Sequence, residues 1–204
     1  MTTRKYEQRV RAEAAAETRR RVLDAVARRL RAAPTEPINL DTVAREAKVS
    51  RSTIYVVFGS KAGLLDAFAR DMWERTGLAE LTEAVASKDP RDHLRRGIDA
   101  SCRMYAADLE LYRVLFAMSQ LDPGSVGGAI QSKEEGRSGG MAYLAQRLAE
   151  GKVLRQGVTA EQAADLLWML CSFEAFDLLH TGRNLSVEEA IDVLVTTAER
   201  ALCR

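Results

Sequence analysis

Between Asn39 and Lys61 the chain gathers side chains that can hydrogen-bond a polyanion: Asn39, Thr42, Ser50, Arg51, Ser52, Thr53, Tyr55 and Lys61. Arginine can pair bidentately with a guanine edge, Ser and Thr can bond to several bases, and a threonine methyl can touch thymine. Asn39 with Thr42, and Ser60 with Lys61, stand where helices should begin, and helix N-termini attract phosphate through unpaired amides and the dipole. The same stretch holds Val43, Ala44, Ala47, Val49, Ile54, Val57 and Phe58, which require burial. One side of this segment is therefore apolar, and the other is fit for duplex DNA.

The elements that would position these groups are two short helices, about Asn39–Ala47 and Arg51–Val57, joined by a tight turn. Asn39 and Ser50 are good N-caps. The second helix is too short to stand alone and must be clamped by apolar neighbours. Its first turns then present Arg51, Ser52, Thr53 and Tyr55, as a recognition helix does in a major groove.

Charge agrees with this. Net charge is +1, but residues 1–61 carry 14 Lys and Arg against 7 Asp and Glu, and the remainder 16 against 22. A basic head (+7) on an acidic body (−6) suggests that the head meets a polyanion.

The rest of the 204 residues reads as all-α, with Ala, Leu and Arg abundant, 47% hydrophobic and 29% charged residues. Residues 1–12, with Arg4, Lys5, Arg9 and Arg11, read as a mobile basic arm or a frayed start of the first helix. A helix follows from about Glu13 to Ala32, with Val22, Leu23, Val26 and Leu30 inward, and "APTEP" stops it. A long helix starts at Lys61, another at Asp89-Pro90, and a third spans about Leu109 to Ser119. Six glycines between Leu121 and Gly140 argue for a loop or a broken helix, with order returning to Glu150. Thr159 with Gln162 predicts a capping box opening a helix to about His180, with Gly182 as its stop. Ser186 with Glu189 opens another to about Leu202.

No P-loop, H-E-x-x-H or C-x-x-C occurs. No cofactor or metal is expected. His93 and His180 read as surface or capping histidines, and Glu174 as a solvated, paired or pocket-facing carboxylate. Cys102, Cys171 and Cys203 read as reduced, buried residues of a cytoplasmic protein. No apolar run approaches a membrane span, and no signal peptide is evident.

The run Thr18-Arg19…Val22-Leu23 followed by "TVAREAKVSRSTIYVVFGSKAGLL" resembles the N-terminal domain of the TetR (tetracycline-repressor) family of bacterial transcriptional regulators. The carrying residues are Val43-Ala44, Ala47, Val49-Ser50, Thr53-Ile54-Tyr55, Phe58, Ser60-Lys61 and Leu64-Leu65, and the resemblance covers about residues 18–70. It departs from the family at Lys48, where glycine is usual, at Val57, often aromatic or His, and at Ala62-Gly63, where an acidic residue commonly follows. Lys48 implies either backbone strain or a different turn geometry.

The resemblance implies a helix-turn-helix head over 1–60 and a body over 61–204 that binds a small effector and dimerises. It implies repression of a palindromic operator, released by an apolar or amphipathic ligand. For a pocket the candidates are Met104, Tyr105, Tyr112, Phe116, Met141, Tyr143, Trp168 and Phe173. The run "AADLLWMLCSFEAFDLLH" is apolar on more than one face, so the last two helices should be covered by a second copy of the chain. A helical interaction module and a helical enzyme without DNA binding are the alternatives.

Overall fold

The computed structural model describes residues 2–121 and 123–204. Eleven helices are seen among them: α1 (Thr2–Ala32), α2 (Leu40–Ala47), α3 (Arg51–Phe58), α4 (Lys61–Thr76), α5 (Leu78–Val85), α6 (Pro90–Ala107), α7 (Leu109–Leu121), α8 (Pro123–Glu150), α9 (Ala160–Leu170), α10 (Phe173–His180) and α11 (Val187–Leu202). The only extended pairing among the described residues is an isolated bridge between Leu154 and Cys203. The fold is all-α, as the composition predicts.

The chain divides into two compact units. The first comprises Met1–Asp71 with Arg113–Ile130. In it α2 packs on α1 and on α3. Its core includes Val22, Leu23, Val26 and Leu30 of α1, Leu40, Val43, Ala44 and Ala47 of α2, Ile54 of α3, and Leu64, Leu65 and Phe68 of α4, all buried.

The second unit comprises Met72–Tyr112 with Gln131–Arg204. Here α6 packs against α5, α10 and α11, and α11 also meets α9 and α10. Leu94, Ile98, Tyr105, Tyr112, Leu167, Phe173, Phe176, Leu194 and Leu202 are buried in it. Asp89 caps α6 with proline at its first turn, and both predicted capping boxes, Thr159–Gln162 and Ser186–Glu189, are formed.

Four expectations are corrected. The basic arm is helical: α1 begins at Thr2, because no Gly or Pro interrupts residues 1–32 and pairs such as Arg9–Glu13 (3.5 Å) support the exposed turns. The side chains of Arg4 and Lys5 lie outside the described residues.

The glycine-rich run is neither loop nor broken helix from Pro123 onward but part of α8. Packing of Ile130, Leu144, Ala145 and Leu148 outweighs the low helix propensity of its glycines. A Cβ at Gly128 would lie 2.9 Å from Asp66 Oδ2, the end of a side chain that can turn aside.

The expected helix from Thr159 to His180 is two helices. It breaks at Cys171–Ser172, where the Ser172 hydroxyl accepts from the Ala175 amide (3.0 Å) and Tyr105 Oη donates to the Cys171 carbonyl (3.2 Å). Finally, His93 is buried rather than at the surface: its Nδ1 accepts from Arg147 (3.0 Å). His180, half-buried, meets the Leu185 carbonyl beyond the end of α10 through Nδ1 at 2.7 Å.

The three cysteines are unpaired and buried, as expected. Burial, with smaller effects from neighbouring charges, pushes Cys102 and Cys171 up to about 12, so both are inert thiols at neutral pH.

Candidate functional site

The site is built around α3. Eight residues cannot hold a helix by themselves, so its geometry comes from its ends and its back. At the back Ile54 is fully buried, a contribution of about 1.5–3 kcal/mol. At the start Ser50 caps through its hydroxyl, accepting from the Thr53 amide (3.1 Å). The same hydroxyl lies 2.7 Å from Ser52 Oγ and 2.8 Å from Thr53 Oγ1, a small hydroxyl cluster at the helix entrance. At the end Gly59 takes a positive φ (76°) and donates its amide to the Tyr55 carbonyl.

Between α2 and α3 the turn closes as a Schellman motif: the Val49 amide donates to the Ala44 carbonyl (3.0 Å) and the Lys48 amide to the Arg45 carbonyl (3.2 Å). Lys48 stands at the position glycine favours, with φ 55° and ψ 47°. Of the two possibilities its presence raised, the structure has the left-handed one. The αL conformation is retained with a side chain in it.

The outward face is mixed. Arg51 and Tyr55 are exposed, Tyr55 to 42%, and Thr53 is half-buried. Arg51 is held in place: it donates to Asp41 Oδ2 (3.1 Å) and to Tyr55 Oη (3.4 Å), with its guanidinium 5.8 Å from the Tyr55 ring centroid. The Tyr55 hydroxyl first, and the Asp41 charge second, raise Arg51 above its ordinary value. Val56 is the most exposed apolar residue of α3, at 86%, and packing does not explain it. The sequence reading weighed Val57 instead, which is half-buried. Val56 could have been found from the helical phase, since it sits two residues from the buried Ile54, on the opposite side of α3.

The two flanking helix starts are also formed. Asn39 Oδ1 accepts from the Asp41 (2.8 Å) and Thr42 (3.3 Å) amides, so two amides at the start of α2 are engaged. Ser60 Oγ accepts from the Gly63 amide (2.9 Å), and Lys61, half-buried, opens α4. Gly63 is required there: a Cβ would stand 2.2 Å from the Phe58 carbonyl oxygen. Arg19 of α1 lies over the Phe58 ring at 5.0 Å.

Part of the predicted ligand set gathers in the second unit. Met104, Tyr105, Tyr112 and Phe173 are buried in the second unit. Tyr105 meets Tyr112 edge-on (5.2 Å) and Phe173 (5.5 Å), and Tyr112 stacks on Phe173 at 5.9 Å. Phe116 is buried but belongs to the first unit. Met141 is half-buried, whereas Tyr143 and Trp168 are about half exposed. Tyr143 carries Arg147 over its ring (5.8 Å), and Trp168 carries Arg137 (4.6 Å). The sequence reading missed Trp73 and Lys133, which join the Tyr105–Tyr112 cluster. The glycines around Lys133 hid its helical phase. No group of three or more His, Cys, Asp or Glu suited to a metal occurs among the described residues.

Two helices closed by a Schellman turn, with the second clamped from behind and polar in front, form the helix-turn-helix arrangement that DNA-binding proteins use. Residues 22–68 match the family model described as bacterial regulatory proteins, tetR family. The chain is similar to that family over its helix-turn-helix segment, α2 and α3 with the adjoining parts of α1 and α4.

Its fold is shared over nearly its whole length. NalD, the secondary repressor of the MexAB-OprM multidrug efflux pump in Pseudomonas aeruginosa, is 22% identical with a TM-score of 0.73, covering 94% of this chain and 98% of NalD. A TetR family transcription regulator from Marinobacter aquaeolei VT8 is 20% identical (TM-score 0.68, 94% and 98% covered). A TetR-like transcriptional regulator from Rhodococcus sp. RHA1 is 22% identical (TM-score 0.65, 90% and 94% covered). No curated protein matches the chain.

Proposed function

We infer that the protein is a homodimeric repressor of a palindromic operator, released by a small apolar or amphipathic effector. Residues 1–60 serve as the DNA-binding head and residues 61–204 as the effector-binding and dimerisation body. The observation that carries the DNA reading is the polarity of α3: Ile54 is fully buried while Arg51, Tyr55 and Val56 are exposed. On this reading Arg51 and the hydroxyls of Ser52, Thr53 and Tyr55 address base edges, and Val56 meets a thymine methyl. Asn39, Thr42, Ser50 and Lys61 address phosphates on either side.

Repression is supported by the likeness to NalD, itself a repressor. Dimerisation is supported by the apolar surface of the last helices, where Trp168, Met169, Leu178 and Val193 are exposed. A two-fold dimer would present two α3 helices to one side of a duplex. No helix among the described residues is long and apolar enough to cross a membrane, which accords with a cytoplasmic site of action.

The test is a salt titration on selected duplex DNA with the purified chain. The logarithm of affinity should fall linearly with the logarithm of salt. Tyr55→Ala and Lys61→Ala should each weaken binding while leaving helical content unchanged. Duplex affinity unaltered by both changes would remove α3 and the α4 start from the interface.

A further inference from the structure

Among the aliphatic residues of α3, Ile54 is fully buried, Val57 is half-buried and Val56 is 86% exposed. Scattered exposed valines are ordinary on a protein surface. This one stands in a helix, where β-branching costs side-chain freedom, so neither packing nor helix propensity favours it. Its place on α3 is the remaining reason for it.

At 3.6 residues per turn, Ser52 and Val56 each stand about 160° around the axis from Ile54, one on either side. Together they form the ridge farthest from the clamped back of the helix. The Ser52 hydroxyl is turned toward the cap, 2.7 Å from Ser50 Oγ, which accepts from the Thr53 amide. Arg51 lies off the ridge, drawn toward α2 by Asp41 Oδ2 (3.1 Å). Beyond Val56 the chain reaches Gly59, which adds no side chain, and nothing lies within 4 Å of where its Cβ would be. The methyls of Val56 are thus the foremost group on the C-terminal half of α3.

We propose that Val56 sets the operator sequence by taking a thymine 5-methyl group in each half-site, and that this thymine stands about two base pairs from the guanine that Arg51 reads. Thymine alone offers an apolar group on the major-groove edge, so its methyl is the direct readout open to an aliphatic side chain. A cytosine or guanine edge in its place would have a polar group pressed against the valine methyls without a partner. Five residues separate Arg51 from Val56, about 7.5 Å along the helix axis. Successive bases stack about 3.4 Å apart, which gives about two steps. This assignment rests on the reading that α3 lies in a major groove.

The test starts from duplexes that the full-length protein selects out of a randomised pool, with binding then followed by fluorescence anisotropy. Selected sites should share one thymine per half-site, about two base pairs from a shared guanine. Replacing that thymine with deoxyuridine removes only the methyl and should weaken binding about fourfold per half-site. Changing the pair to C·G should weaken it further, and methylating that cytosine at C5 should restore about the same fourfold. Alanine is the better helix former, so Val56→Ala should fold as the parent does. It should bind thymine and deoxyuridine duplexes equally while keeping the guanine requirement, which Arg51→Ala relaxes. Three results overturn the assignment and leave DNA binding standing: no thymine sensitive to deoxyuridine, a sensitivity that survives Val56→Ala, or a sensitive thymine more than about three base pairs from the guanine. If no duplex is enriched at all, the DNA-binding reading itself falls.

Discussion

Replacing Lys48 with glycine should stabilise the head. Lys48 is in the left-handed region, with φ 55° and ψ 47°. For a residue with a Cβ that conformation costs about 1–2 kcal/mol. Glycine relieves it but gives back about 0.4–1 kcal/mol through greater freedom of the unfolded chain. The net gain is about 0.8 kcal/mol at the midpoints of these ranges and at most about 1.6 kcal/mol. Lys48→Ala is the control: it removes the same charge and stem but keeps the strained backbone. Urea unfolding followed by circular dichroism should therefore rank glycine above both lysine and alanine, with lysine and alanine close together. Because the two variants carry the same charge, any difference between them in duplex affinity reports the turn alone. Glycine no more stable than alanine would mean that the turn does not hold the left-handed geometry in solution.

Two other glycines should respond in opposite directions to alanine. Gly63→Ala places a Cβ 2.2 Å from the Phe58 carbonyl, so overpacking should outweigh the helix-propensity gain and lower stability by about 1–2 kcal/mol. Gly139→Ala points into open space on α8 and should raise it by about 0.5–1 kcal/mol, both read from urea midpoints. His93 is held below its ordinary range by burial and then by Arg147, so its neutral form is favoured in the fold. Its contribution is complete above about 6.5 and is lost as pH falls below that, so the urea midpoint should drop there and His93→Gln should flatten the drop. Asp41→Asn removes the carboxylate that Arg51 donates to, and should strengthen duplex binding severalfold at low salt with little effect on stability, measured by fluorescence anisotropy.

What the sequence made legible were features whose causes are local. Asn39, Ser50, Thr159 and Ser186 cap because their side chains bond amides two or three residues on, and each helix starts where those residues predict. The buried faces of α1 and α2 followed from spacing alone. Features caused by distant partners were not legible. His93 is buried because Arg147, 54 residues away, bonds its ring. The break at Cys171–Ser172 needs the Tyr105 hydroxyl, 66 residues away, on the Cys171 carbonyl. In an unbroken apolar run, the short signal Ser172…Ala175 is easily read through. The predicted pocket residues divide between core and surface for a related reason. Aromatic residues at helical spacing report only that a face is apolar. They do not say whether it meets the core, as Tyr105 does, or the surface, as Trp168 does.

The head's charge needs the same care. A surplus of +7 suggests a row of available arginines, yet several are matched within the head: Arg51 with Asp41 at 3.1 Å, Arg29 with Glu36 at 3.4 Å, Arg28 with Glu46 at 3.9 Å. Exposed pairs of this kind are weak and are readily exchanged for another acceptor. Asp41 holds Arg51 beside Tyr55, so less side-chain freedom is lost when the guanidinium meets DNA. A guanine edge can take over from the carboxylate because its O6 and N7 present two acceptors side by side to the oriented guanidinium. The pairing thus lowers attraction to duplex in general more than attraction to a base that can replace the carboxylate. On the proposed reading, Asp41 makes Arg51 a better discriminator at the expense of raw affinity.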